Sequence, residues 1–269
     1  MNLLKQFFDF YINSSIHVAL AVCAFLGVTI VEFEISISYS LLGFIFFSSI
    51  TGYNFVKYAT IAKLHHASLT TPLKYILLFS VICFVAMIFF AIKQSLNVLI
   101  YIGFFALITF FYAIPFLRFK NLRALLSLKI FIVAFVWAGV TVLIPIFDIE
   151  SMIGIDQWIT FFQRALLVIV LTIPFEIRDL SHDSQGLGTF PQRMGVRISK
   201  IFGILILILI LVLEYFKDEI SHHHLVTLYI VSLILGIFLV ITKKEQSEYF
   251  ASFWVESIPI LWYILMISF

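Results

Sequence analysis

Between Pro174 and Gly195 the chain reads PFEIRDLSHDSQGLGTFPQRMG, which sets Glu176, Asp179 and Asp183 beside Arg178 and Arg193 in an otherwise strongly apolar protein. The acids stand at i, i+3 and i+7, so a helix that runs on through them presents all three on one face. A carboxylate-only donor set favours a hard cation such as Mg²⁺, which takes one or two carboxylates and leaves its other positions to water and substrate phosphates. The same residues would also serve as a solvated loop between two membrane spans, where charge is ordinary.

Other charged residues offer weaker chemistry. In FYAIPFLRFKNLR, followed by Lys129, the cations Arg118, Lys120 and Arg123 come just after an aromatic helix end. They form either an anion site for phosphate groups or the basic edge that topology and lipid headgroups call for. The segment YNFVKYATIAKLHHASLTTPLK carries Lys57, Lys63, His65 and His66 without a carboxylate, and reads as a solvated loop. His222, His223 and His224 read the same way, and His17, at the start of a span, needs no special role. Within the spans, Arg164 is expected to snorkel to the nearer interface. Glu256, followed by Pro259, needs a partner, a proton or a wet cavity.

These residues must be positioned by membrane helices. Of the 269 residues 62% are hydrophobic and 12% charged, against ~25% charged in an ordinary soluble domain. Apolar runs recur along the whole length, so residues 1–269 are expected to form one all-α polytopic membrane bundle. Hydropathy gives nine candidate transmembrane helices, near 15–33, 38–57, 73–92, 95–117, 125–147, 157–177, 198–215, 224–242 and 250–268. Lys57, Lys120, Arg178, Arg193 and most other Lys and Arg then fall on one side, with Lys93 and Lys217 on the other. By the positive-inside rule the rich side, and with it the N-terminus, faces the cytoplasm. A removable signal peptide is not expected at the N-terminus. Cys23 and Cys83 sit inside apolar runs and imply no disulfide. The longer polar loops are on the cytoplasmic side, where binding groups are expected.

The pattern resembles the UbiA superfamily of intramembrane prenyltransferases. In EIRDLSHDSQGLGTFPQRMG, the residues Glu176, Arg178, Asp179, Asp183, Thr189, Arg193 and Gly195 occupy the places of the family's second acidic motif, and Tyr112, Pro115, Arg118 and Lys120 resemble its Tyr-Pro-Lys/Arg loop. The resemblance implies an integral membrane enzyme that takes an isoprenyl diphosphate and an acceptor. Mg²⁺ would be held by Glu176, Asp179 and Asp183, with Asp179 and Asp183 catalytic, and Lys57, Tyr112, Arg118, Lys120, Arg178 and Arg193 would contact substrate. The family's first acidic motif, Asn-Asp-x-x-Asp, is missing: Val56, Lys57 and Thr60 stand where its Asn and two Asp belong. Lys57 could supply directly the positive charge that a second metal ion would bring. Two alternatives remain, a non-catalytic descendant that binds a polyprenyl lipid or a membrane partner, and a transporter in which Arg164 and Glu256 form a relay.

Overall fold

The computed structural model of the protein describes residues 3–62, 71–113, 128–149, 152–180 and 189–268. Helices account for most of them: α1 (Leu3–Asn13), α2 (Ile16–Glu32), α3 (Tyr39–Ala62), α4 (Thr71–Ala91), α5 (Leu96–Ala113), α6 (Leu128–Ala138), α7 (Ile144–Asp148), α8 (Ile155–Asp179), α9 (Phe190–Glu214), α10 (His222–Ile241) and α11 (Ile258–Ser268). A π-helical turn, Gly139–Leu143, joins α6 to α7, and another, Phe250–Val255, leads into α11. Seven helices are long and apolar enough to cross a membrane, and the bent pair α1–α2 makes an eighth. The expected fourth span is represented by the shorter apolar helix Leu96–Tyr112, so the described residues do not reach nine full spans.

The helices close into a ring. α2 packs on α3 and α11, α3 on α4 and α5, α5 on α6, α6 on α8, α8 on α9, α9 on α10, and α10 on α11. Burial follows position: 67% of the most apolar window of α8 is inside the protein but 11% of that of α4, so α8 is a core helix and α4 turns Leu78, Val81, Ile82 and Val85 to lipid. Close helix approach has a local cause at the first π turn, where a Cβ on Gly139 would lie 2.0 Å from the Phe105 ring.

Two polar clusters tie the ring together. At one end, the 54° bend between α1 and α2 leaves backbone groups that a continuous helix would satisfy. Asn54 of α3 takes up one of them, the Ser14 carbonyl. Its Nδ2 donates to the Ser14 carbonyl at 3.0 Å and to Ser80 Oγ at 2.8 Å, and its Oδ1 accepts from Ser15 Oγ at 2.8 Å. His17 clamps the same corner to the second π turn: Nε2 donates to the Phe253 carbonyl at 3.1 Å, which leaves Nδ1 of the neutral ring to accept from the Tyr11 hydroxyl at 2.7 Å. Beside it α1 exposes Leu3, Leu4 and Phe7 and stacks Phe8 edge-on against Tyr249 and Phe253, the arrangement of a helix lying along a membrane surface. The Tyr249 hydroxyl donates to the Asp9 carboxylate, and this bond holds the phenol proton on above its usual range.

At the opposite end lies a buried ionic network. Lys217 Nζ is 2.7 Å from Glu32 Oε1 and 2.7 Å from Glu214 Oε2. His224 Nδ1 lies 2.8 Å from Glu214 Oε1, and its Nε2 3.4 Å from Glu32 Oε2. Thr160 donates to Glu32 at 2.7 Å and Gln163 to Glu214 at 2.9 Å. Arg164 does not snorkel. It is 1% exposed, donates to the Phe25 carbonyl at 2.6 Å and to Thr29 Oγ1 at 3.3 Å, and lies 4.4 Å over the Phe25 ring. The expectation that His224 is solvated is likewise overturned, since its ring is buried between two carboxylates. In both cases inward-facing partners cancel the desolvation that would otherwise drive the charge to water. Removing one partner of such a network strands the others. Lys217→Met is therefore expected to lower stability by about 3–5 kcal/mol, seen as an earlier thermal transition in detergent. Lys5→Met, which removes the exposed partner of Glu248 at 3.8 Å, is expected to change it by less than about 1 kcal/mol.

Candidate functional site

The acidic segment begins on the last turn of α8. Glu176 is buried there, and Asp179 closes the helix one turn later. Arg178 bends back onto its neighbour, with Nε donating to Asp179 Oδ1 at 2.7 Å and Nη2 to Oδ2 at 3.3 Å, while its guanidinium lies 5.3 Å over the Phe175 ring. Both partners remain about a third exposed, at 30% and 31%, so each keeps a side open for a ligand. Asp183, Arg118 and Lys120 lie outside the described residues, as do Pro115, Lys63, His65 and His66. Among the described residues no three His, Cys, Asp or Glu side chains are close enough to hold a metal ion. Glu176 and Asp179, one helical turn apart, still fit Mg²⁺ as donors, because that ion takes few protein carboxylates and fills its octahedron with water and phosphate oxygens.

The start of α9 faces the same end. Thr189 is buried just before the helix, and Gln192 Oε1 accepts its N–H at 3.3 Å. Arg193 is exposed on the first turn, where the helix dipole also favours an anion. Two residues later the backbone leaves helical geometry at Gly195, with φ 79° and ψ 161°, a region open to glycine and strained for other residues.

Across the ring, Lys57 projects from the last turns of α3 and is exposed, while Tyr112, at the end of α5, is buried. Lys57 and Arg178 lie in each other's field and both act on Glu256, at the start of α11. Tyr53, one turn before Lys57, lies in the field of Glu256 and Tyr112 and accepts a hydrogen bond from Trp137 Nε1 at 2.6 Å. Lys57, Arg178 with Asp179, and Tyr112 thus gather at one end of the bundle, joined by Tyr53 and Glu256. Glu256 had signalled itself as an ionisable residue within a span; the i, i+4 spacing of Tyr53 from Lys57 was the sole sequence sign of the tyrosine. Arg164 and Glu256 do not form a relay, since the charge acting on Arg164 is Glu32 at the other end.

A solved structure with the same architecture is that of a digeranylgeranylglyceryl phosphate synthase, 17% identical, with 98% of each chain covered and a TM-score of 0.58. At this identity the likeness shows the architecture. No family model matches the chain, and no curated protein matches it in sequence.

The backbone at Gly195 gives a test of how the α9 start is built. A Cβ there meets nothing within 4 Å, and the same holds at Gly52 within α3. Gly195→Ala is nonetheless expected to lower stability by about 1–3 kcal/mol from backbone strain, whereas Gly52→Ala is expected to be neutral or to raise it by up to about 1 kcal/mol through helix propensity. Thermal unfolding of the two variants measures the difference.

Proposed function

We propose that the chain is a UbiA-like prenyltransferase, which moves a prenyl group from an isoprenyl diphosphate to an acceptor at the cytoplasmic face of the membrane, with the N-terminus on that side. The observation that carries this reading is the meeting of Lys57, Arg178 and the acidic end of α8, on a fold shared with a membrane synthase. Diphosphate is an anion, and these cations stand where it would enter. Lys57 offers three donors as a compact charge, and Arg178 and Arg193 offer planar forks. Arg118 and Lys120 are assigned to the same anion and Tyr112 to the substrate cavity wall. Glu176, Asp179 and Asp183 would hold Mg²⁺, which when bound supplies positive charge against the leaving diphosphate. The prenyl tail would lie among apolar helices, gaining ~0.8 kcal/mol per buried CH₂. Aromatic faces in the same space suit the cationic character that develops at the allylic carbon.

A second reading is a non-catalytic descendant that binds a prenyl lipid. One feature favours it: α3 carries Val56, Lys57 and Thr60 where the resembled family places an Asn and two Asp.

Labelled geranylgeranyl diphosphate with purified protein, Mg²⁺ and a membrane lipid extract as the source of acceptor separates the two. Binding with diphosphate release is expected, and binding without release supports the second reading. Asp179→Asn and Asp183→Asn are expected to weaken Mg²⁺-dependent binding of the diphosphate without loss of fold. Lys57→Met is expected to weaken it on the order of tenfold, about 1.4 kcal/mol, with Lys57→Asp recovering part of the loss at high Mg²⁺. Parent-like binding by all of these variants would remove the assignment.

A further inference from the structure

The outer wall formed by α9 and α10 is grooved. The two helices are drawn together on their inner side at Gly203, where a Cβ would lie 2.5 Å from Leu239 Cδ2, and they part on the side that faces lipid. There they leave a groove of ≈ 630 Å³, walled by Ile204, Leu207, Ile208 and Leu211 of α9 and by Leu233 and Ile237 of α10. Ordinary ligand sites occupy ~300–1,000 Å³. Gly236 belongs to the same wall. A Cβ there would meet Ile204 and Leu207 at 3.6 Å, an ordinary contact, so helix packing does not demand a glycine; its missing side chain widens the groove. Along α10 the groove runs from Tyr229 to Ile241, about 18 Å at the rise of an α-helix. That is close to the ~15 Å depth of one leaflet's hydrocarbon. The Tyr229 hydroxyl, hydrogen-bonded to that of Tyr215 at 2.9 Å, marks one end.

Apolar walls are ordinary on a surface that meets lipid, and by themselves they select no occupant. The opposite end of the groove is what distinguishes it. Lys200, one turn before Ile204 on the same face of α9, donates from Nζ to the Val240 carbonyl at 2.7 Å, and Val240 lines the groove. This bond fixes the ammonium at the groove's mouth and leaves it two further N–H donors. Arg197, three residues earlier on α9, and Lys243 and Lys244, directly after α10, are exposed around the same end. Lys243 also acts on Lys200 electrostatically. The adjoining acid is Glu245; the next, Glu248, is turned to Lys5 at 3.8 Å. Positive charge therefore dominates the mouth.

An apolar groove about one leaflet deep, opening on an anchored ammonium among further cations, has the form of an acyl chain that carries an anionic headgroup. We infer that the groove between α9 and α10 binds an anionic phospholipid of the surrounding membrane. One acyl chain lies between Ile204–Leu211 and Tyr229–Ile241, and the phosphate takes charged hydrogen bonds from Lys200 within the positive potential of Arg197 and Lys243. A helix of a second copy would also fit an interhelical groove. Two copies inserted in the same direction and related by a two-fold axis would set their basic ends side by side, however, and like charges there oppose docking. An anionic lipid cancels them. The site is on the outer wall, uses none of the residues assigned above to substrate or Mg²⁺, and does not rest on the prenyltransferase reading.

The test uses the full chain in phosphatidylcholine nanodiscs doped with a phosphatidylglycerol that carries a diazirine in one acyl chain. Phosphatidylcholine with the same labelled chain is the comparison, and photolabelled positions are mapped by peptide mass spectrometry. In the parent, the phosphatidylglycerol probe is expected to label residues 204–211 and 229–241 at least about fivefold more than the phosphatidylcholine probe, the effect of one cation at a headgroup. Lys200→Gln combined with Lys243→Gln is expected to abolish that preference, and Lys200→Arg combined with Lys243→Arg to keep it. Gly236→Leu fills the groove without altering charge and is expected to lower labelling of both segments by both probes several-fold. Equal labelling by the two probes in the parent would mean boundary lipid only and overturns the inference. So does a preference that survives the paired Gln variant, or labelling that Gly236→Leu leaves unchanged. Segments shielded from both probes in a preparation that runs as a dimer assign the groove to a second copy, and overturn it as well. Should the paired Gln variant fail to fold, the parent comparison and Gly236→Leu still decide.

Discussion

Taking Glu32, Glu214 and Lys217 out of water together is what lets the far end of this bundle close. Each charge alone would be prohibitively costly in an apolar interior, but an ammonium 2.7 Å from both carboxylates, with Thr160, Gln163 and His224 filling the remaining positions, turns the cost into a set of mutual constraints. Those constraints fasten the end of α2, the first turns of α8, the end of α9 and the start of α10 to one another. Arg164 extends the lock inward by bonding to the backbone and side chain of α2. The geometry tolerates little movement, because any shift strands a buried charge.

The other end of the bundle is organised in the opposite sense. There the structural polar groups, Asn54 and His17, are satisfied by hydrogen bonds that shape the corner between α1 and α2, whereas Lys57 and Glu256 lie in each other's field without a direct bond among the described residues. One end pairs its charges in the interior and holds the fold; the other leaves Lys57 and Glu256 without a bonded partner among the described residues. Rigidity at the first end and at the Asn54–His17 corner fixes the helices on which the second set stands, as a preorganised site requires.

Much of the fold was legible in the sequence, because the bilayer leaves few options. A chain this apolar, with its charges gathered between runs of about twenty residues, has to be a helical bundle, and the positions of most helices follow within a few residues. The resemblance of the segment from Glu176 to Gly195 to a prenyltransferase motif agrees with an architecture shared with a membrane synthase. The bend at Ser14 and Ser15 was not legible. It depends on Asn54, some 40 positions away in the chain, and long-range hydrogen bonds leave no periodic trace.

The sequence by itself determined the class of structure, the clustering of acids at the end of α8 and the glycine at position 195, because these depend on hydropathy, on i, i+3 spacing and on a backbone conformation that glycine adopts freely. Which charges are buried and paired was decided by tertiary structure alone. Arg164 and His224 read as interfacial or solvated and are locked in the interior; Lys57, read as a charge in place of a second metal ion, lies in the field of Glu256 and Arg178. The physical reason is that the free energy of a charge in a membrane protein is set by what lies within a few ångströms of it, and here those neighbours come from helices far apart in the chain.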